Sequence, residues 1–451
     1  MLTVVGPLLY YLGVDVGDVR LRAEDGYKMR TMRLAGLGLA AMVGAQCAWA
    51  AGTVCDARAY GAKGDGVAKD TAAIQKAIDA CAAKGGGTIK LAGGTFLSGP
   101  ILLKSNTTLD LAKDAILLGS PDRADYPMVK FARQTTVQPL VSAVNAEHVA
   151  ISGSGTIDGN GKVWWDYVQG VKDAGVLGND HPRPMGVVFD HSKHISMTGV
   201  TVQNAGFWQI VPYYSDDIVF RNLRILAPHS PNTDAIDPFS SSNIVIDHVF
   251  SSVGDDNIAI KSGAIDSPGP DDPSKNITIT DCTFENGHGL SIGSEIAGGV
   301  QNVHAERIHF KGTDNGIRVK ANRDRGNADI GNFSFKDITM EGVKVAILIS
   351  EYYPKMLPPE GGAKPAPVQR LTPKFHDISI ENVTATGSGT AGVIIGLPES
   401  PVLGVSLKNV HIEAKTGMIV GFAKVSAENF TVKAETGEGI KVDSTATLTK
   451  K

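Results

Sequence analysis

The chain has 451 residues, 42% hydrophobic and 20% charged, with a formal net charge of −4. That length holds one large core or two ordinary ones. The sequence has no collagen-like period, no long low-complexity tract and no basic nucleic-acid footprint. The mild acidity still allows an anionic ligand, because local cations set the field inside a cleft.

Residues 1–28 read as an upstream extension, with Met29 as the start of translation. Lys28, Arg30 and Arg33 form a basic stretch and Leu34 to Ala48 an apolar one, followed by the small-residue cleavage site Ala48-Trp49-Ala50. Residues 29–50 therefore read as an export signal, and a secreted, extracellular mature chain is expected to begin at Ala51. The competing reading is a membrane anchor, but the apolar stretch is short for a span and ends in a cleavage motif. Cysteine usage agrees with export: Cys55 and Cys81 flank a helical segment and are placed to pair across it, while Cys282 reads as a buried free thiol.

Residues 70–84 carry the one convincing helical pattern, with Ile74, Ala77, Ile78 and Cys81 as its apolar stripe, Asp70 as N-cap and Gly85-Gly86-Gly87 as its stop. Such a helix suits the end of a solenoid, which needs a cover over its open hydrophobic end. One theme then repeats: a short strand begins beside an asparagine or aspartate, turns and gives a second strand. The starts are Ile195, Ile218, Ile244, Ile277, Val303, Phe333, Ile378, Val405 and Phe430, at intervals of 23, 26, 33, 26, 30, 45, 27 and 25 positions. A period in the twenties, stretched by loops, marks a stacked repeat. Leucine-rich patterning is missing, and Asp65-Gly66 and Asp158-Gly159 do not separate matched strands. The expected class is all-β, a single-stranded parallel β-helix over residues 51–451 with an N-terminal capping helix. Two proline-rich excursions interrupt it, one over 266–273 and one leaving the coil after Tyr352-Tyr353. The triplets at Asn276, Asn332 and Asn429 read as turn residues in left-handed backbone geometry rather than as glycan acceptors.

Four segments on neighbouring coils carry the chemistry: Asn232-Thr233-Asp234, Gly254-Asp255-Asp256, Gly287-His288-Gly289 and Arg318-Val319-Lys320. Stacking as parallel strands turns sequence distance into vertical steps of about 4.8 Å, so the carboxylates share one cleft with two cations. Crowded carboxylates do not ionise together, which yields an acid and a base from one residue type. The flanking glycines leave room for a ligand beside His288. Arg318 and Lys320 point one way from a strand and suit a carboxylate held between them, although an internal salt bridge to the neighbouring coil is the alternative.

In these four ordered motifs the chain resembles the polygalacturonases of glycoside hydrolase family 28. The likeness extends to Gly61-Ala62-Lys63-Gly64-Asp65-Gly66, to Gly155–Gly161 with Trp164-Trp165, and to Gly287–Glu295, the last closest in look to bacterial secreted endo-acting members. The resemblance implies a right-handed coil and inverting, metal-free and cofactor-free hydrolysis of α-1,4-linked galacturonan. It implies Asp255 as general acid, Asp234 and Asp256 holding and deprotonating water, and His288 tuning the acid. Arg318 and Lys320 would bind the galacturonate carboxylate, Tyr353, chosen over the adjacent Tyr352, would contact substrate, and Asn232 would support the site. The expected partner is pectin or polygalacturonate, with no nucleic acid and no membrane, and the expected state is monomeric. The alternatives are exo cleavage, a calcium-dependent β-helix pectate lyase, and a non-catalytic glycan-binding β-helix such as an adhesin.

Overall fold

Residues 195, 218, 244, 277, 303, 333, 378 and 405 stand directly above one another in parallel register. Their side chains all enter one continuous apolar core. The computed structural model describes residues 52–131, 134–175, 182–228, 231–263 and 272–451. The expected upstream extension and export signal, and most of the 266–273 excursion, lie outside the described residues. The coils form a right-handed parallel β-helix. One expected repeat start is displaced: Val405 pairs with Val425, and Phe430 stacks on Val410 one strand further round the coil. Both are buried apolar positions of one coil, and an apolar residue in an alternating run does not announce which strand it opens.

The bends between strands explain the asparagines. Asn243, Asn276, Asn302 and Asn332 have φ of 56, 58, 57 and 59°, and Asn429 has 49°. Asparagine tolerates this left-handed region better than most residues because its short amide bonds locally. The amides also stack. Each Nδ2 donates to the residue one coil earlier, from Asn332 to Asn302 (2.5 Å), Asn302 to Asn276 (2.9 Å), Asn276 to Asn243 (2.9 Å) and Asn243 to Asp216 (2.7 Å).

Helix α1, Thr71–Ala82, buries the expected stripe of Ile74, Ala77, Ile78 and Cys81. The Cys55–Cys81 disulfide fastens it to the first strand, with Cα atoms 6.0 Å apart. Asp70 does not cap this helix with its side chain. Its carboxylate instead accepts from the backbone N–H groups of Lys63 (2.7 Å) and Gly64 (2.9 Å), a stronger use for a buried charge. Cys282 is buried and unpaired with another cysteine. Two elements are additional to the sequence reading. Helix α2, Lys162–Asp173, buries Trp164 and Val168. The strands Met128–Phe131 and Gln134–Val137 pair antiparallel. The proline-rich stretch 351–374 leaves the coil as expected, between the strands Val345–Ser350 and Phe375–Ile395.

Candidate active site

The site lies on one outward face of the coil. Ala259, Ser291, Arg318 and Leu348 share one row across successive strands. Ile236 pairs with both Ile210 and Ile258, which puts Asp237 in that row one coil before Ala259. Two residues on, Lys320 pairs with Ser350, and Lys261 is bridged to Phe239. At the leading edge of the same face, the Gln209 N–H donates to the Asp234 carbonyl and the Ala235 N–H to the Asp256 carbonyl. Trp208, Asp234, Asp256 and His288 therefore follow one another coil by coil. The apolar alternation forces this arrangement, because every second residue is committed to the lumen.

Asp256 is the buried centre, 2% exposed. Its Oδ1 accepts from Ser291 Oγ (2.7 Å) and Arg318 Nη1 (3.1 Å), and its Oδ2 from Lys320 Nζ (2.8 Å). Burial pushes its carboxyl upward, but Lys320, Arg318, Lys261 and His288 overcome that and hold it well below the usual carboxylate range. The expected anion between Arg318 and Lys320 is thus a side chain of the protein, and the internal salt bridge is realised. Burial holds the Lys320 ammonium below its ordinary value, and the like charges of Arg318 and Lys261 reinforce this against its pairing with Asp256.

Asp255 meets His288, with Oδ1 2.9 Å from Nδ1. That bond raises the imidazole above its ordinary value despite partial burial. Asn232 donates Nδ2 to Asp255 Oδ2 at 3.3 Å and is itself held by Arg183 Nη2 at 2.9 Å. The glycines beside His288 serve the backbone rather than opening space for a ligand. Gly287 and Gly289 have φ of 74 and 82°, and a Cβ on Gly289 would stand 2.0 Å from the Asn315 carbonyl oxygen.

Asp234 and Asp237 are buried side by side. No nitrogen or hydroxyl donor among the described residues reaches Asp234 Oδ1 or either oxygen of Asp237. Burial raises Asp234 well above the usual range, reinforced by Asp237 and Asp255. Burial likewise pushes Asp237 up to about 8. Lys261 Nζ stands between them, 3.6 Å from Asp234 Oδ2 and 3.7 Å from Asp237 Oδ2, and also 3.7 Å from Glu295 Oε2. Sequence reasoning passed over Asp237, Lys261, Arg183 and Trp208. Asp237 and Lys261 lie three and five residues after Asp234 and Asp256, which was the available signal; Arg183 and Trp208 sit in the chain ahead of the strands Val187–Asp190 and Ile210–Tyr213 and carried none.

Tyr353, chosen over Tyr352, lies at the site. Its ring is 5.3 Å from Lys320 Nζ and 5.9 Å from the Arg318 guanidinium carbon. Tyr352 packs with Val345, Leu348, Val393 and Ile395 in an apolar cluster. Asp255, Asp256 and His288 present atoms within 4.8 Å of one another that are able to ligate a metal. Asp256, however, already bonds three protein donors. A second such set, Asp247, His248 and Asp281, lies on the outer surface.

The arrangement therefore offers a low-pKa anchored carboxylate, a carboxyl paired with an imidazole and a carboxylate of raised pKa beside a fixed cation. Comparison with known proteins agrees with that chemistry. The profile of glycosyl hydrolases family 28 matches residues 128–434, more than half of the chain. The chain is a member of glycosyl hydrolase family 28. A second profile, rhamnogalacturonase A/epimerase, pectate lyase-like, matches residues 54–159, ahead of the four motifs. Among family 28 relatives, a probable polygalacturonase from Vitis vinifera is 31% identical over 79% of this chain and 74% of its own length. An endo-polygalacturonase from Pectobacterium carotovorum subsp. carotovorum is 30% identical over 76% of this chain and 84% of its own. Among solved structures, a hyperthermoactive exopolygalacturonase from Thermotoga maritima superposes with a TM-score of 0.71. It is 26% identical and covers 87% of this chain and 92% of its own.

Proposed function

We propose that this glycoside hydrolase is an exported endopolygalacturonase that cleaves α-1,4 linkages between galacturonate residues with inversion. The single observation that carries the reading is the division of labour among neighbouring carboxyls: Asp256 held ionised, Asp234 made basic by burial, and Asp255 bonded to His288. Inversion needs one carboxyl to protonate the glycosidic oxygen and another to take a proton from water attacking the opposite face of the sugar. Asp255 gives its proton to the leaving oxygen, and His288 Nδ1 holds that carboxyl in place. Asp256 is anchored and weakly basic, so it orients the water, and the more basic Asp234 takes its proton. The water oxygen bonds to the anomeric carbon as the glycosidic C–O bond breaks, which leaves one new reducing end per cleavage. Arg318, Lys320 and Tyr353 line the side that meets the substrate carboxylate, with Asn232 steadying Asp255.

Export is supported by the basic–apolar–small pattern of residues 29–50 and by the Cys55–Cys81 disulfide, a bond favoured in oxidising compartments. Likeness to bacterial endo-polygalacturonases supports the endo mode. A second reading, removal of sugars from a chain end, is favoured by the superposition on the Thermotoga maritima exopolygalacturonase.

One digest tests both hydrolysis and its mode. Purified protein is incubated with polygalacturonate in chelator, and reducing ends, ultraviolet absorbance and product size are followed from the first percent of reaction. Reducing ends without absorbance are expected, with early products of many lengths. An unsaturated, absorbing product overturns hydrolysis. Early release of short products alone, with viscosity unchanged, overturns the endo mode and leaves hydrolysis standing.

A further inference from the structure

Lys261 is 7% exposed, and the face around it is crowded with acid. Asp234, Asp237 and Glu295 place an oxygen each at 3.6, 3.7 and 3.7 Å from its Nζ. The Trp208 ring lies 4.5 Å away. Aromatic faces attract cations and shed water, so the ammonium is held by a ring and three carboxylates rather than by solvent. The other cations nearby are committed elsewhere. Arg318 and Lys320 hold Asp256. Arg325 reaches Glu295 at 3.1 Å. Arg183 spends its fork on Asn232 and two backbone carbonyls. Lys261 is left as the cation between the Asp234 and Asp237 carboxyls. It stands on the Oδ2 side of Asp234 and leaves Oδ1 without a protein donor among the described residues.

We propose that Lys261 is the positioning residue for the water-activating carboxylate. Its ammonium holds Asp234 through Oδ2 and offsets the charge of the aspartate pair, so that the pair carries one proton rather than two and an ionised carboxylate is left to accept a proton from water. This rests on the reading of Asp234 as proton acceptor. Two buried carboxyls and one ammonium balance with a single proton on the pair. Every group that faces the trio bears on that proton. Asp255, Asp256 and Glu295 favour its retention, while Arg183 opposes it directly and Lys320 and Arg318 oppose it by neutralising Asp256. Removing the ammonium leaves both aspartates facing each other with no cation, and Asp234 then keeps a proton to higher pH and ceases to be a base.

The test is the pH dependence of kcat and KM on polygalacturonate for Lys261→Met, Lys261→Arg, Asp237→Asn and the double variant Lys261→Met/Asp237→Asn. Lys261→Met is expected to lower kcat by about tenfold, less than the roughly 10²–10⁴ that a general base itself supplies because Asp234 remains, with KM little changed. Its acidic limb moves to higher pH. Lys261→Arg restores most of the rate. Asp237→Asn moves the limb the other way, because it removes the competing carboxyl, and the double variant returns towards the parent profile. A raised KM with an unmoved limb overturns the proposal and makes Lys261 a substrate ligand. Limbs that coincide in all variants overturn it too. If Lys261→Met fails to fold, the opposite shift in Asp237→Asn and the intermediate profile of Lys261→Arg still decide. An absence of hydrolysis in the parent protein is a failure of the functional reading instead.

Discussion

Two polar ladders climb the same coils. The corner ladder of Asp216, Asn243, Asn276, Asn302 and Asn332 repeats one kind of bond from coil to coil. An amide both donates and accepts, so a stack of identical amides satisfies itself. The ladder of Asp234, Asp256 and His288 stands at the same spacing with acceptor-only groups at its start, and carboxylate on carboxylate satisfies nothing. It holds together because cations arrive from coils further along: Arg318 and Lys320 onto Asp256, and Lys261 onto Asp234 and Asp237. The scaffold is indifferent to which ladder it carries. Reactivity resides where stacked groups fail to complete one another.

The largest effect should come from Asp255, the partly buried partner of the acidic ladder. Asp255→Asn keeps the Asn232 contact and loses the transferable proton, so kcat should fall by about 10²-fold or more while oligogalacturonate binding, followed by calorimetry, persists. Unchanged turnover would reduce this face to a binding surface.

Next comes the cationic support. Lys320→Met strips a buried carboxylate of one partner, which costs about 3 kcal/mol when the remaining charge stays buried. The sign with pH is set by Asp256. Its folded carboxyl sits below the ordinary value, so its contribution is fully present above that value and is lost as pH falls towards the folded one. Urea melts of parent and variant should therefore differ most near neutrality and converge in acid. A constant gap across pH would show that packing, not charge, is what Lys320 supplies.

The smallest effect belongs to the corner. Asn302→Ala removes two ladder bonds and places a Cβ residue without a bonding side chain at φ 57°. It should cost about 1–2 kcal/mol of stability and leave kcat and KM untouched. Asn302→Gly should cost less than the alanine variant, since glycine adopts that backbone freely. Equal losses would assign the residue's value to the amide ladder instead of to its backbone.

The strands, the capping helix and the four motifs were legible because each repeats or is locally patterned. Ile195 to Val405 recur in the right phase, and the 74–81 stripe is helical on its face. Asp237, Lys261 and Arg183 were not legible. A lone charge just outside a strand looks the same whether it faces solvent or a buried acid on the neighbouring coil. Helix α2 escaped because only Trp164 and Val168 carry its apolar side. The glycines beside His288 were read as room for a ligand, yet their positive φ and the close Asn315 carbonyl show that the backbone turn itself demands them. Asp70 sat in a proper capping position, but two N–H groups from a preceding turn outcompeted its own helix.

The register that aligns Ala259, Ser291 and Arg318 carries a consequence for how such a chain tolerates insertions and deletions. Adding a single residue inside any of those strands would swap lumen and exterior for every later position of that strand, sending Arg318 inward and Val319 out. Length variation is therefore confined to the bends, where the 351–374 excursion shows how much extra chain one bend absorbs while the next strand, Phe375–Ile395, resumes in step. Among descendants of one ancestor, loops should drift in size while the spacing between each bend and its outward charges stays fixed.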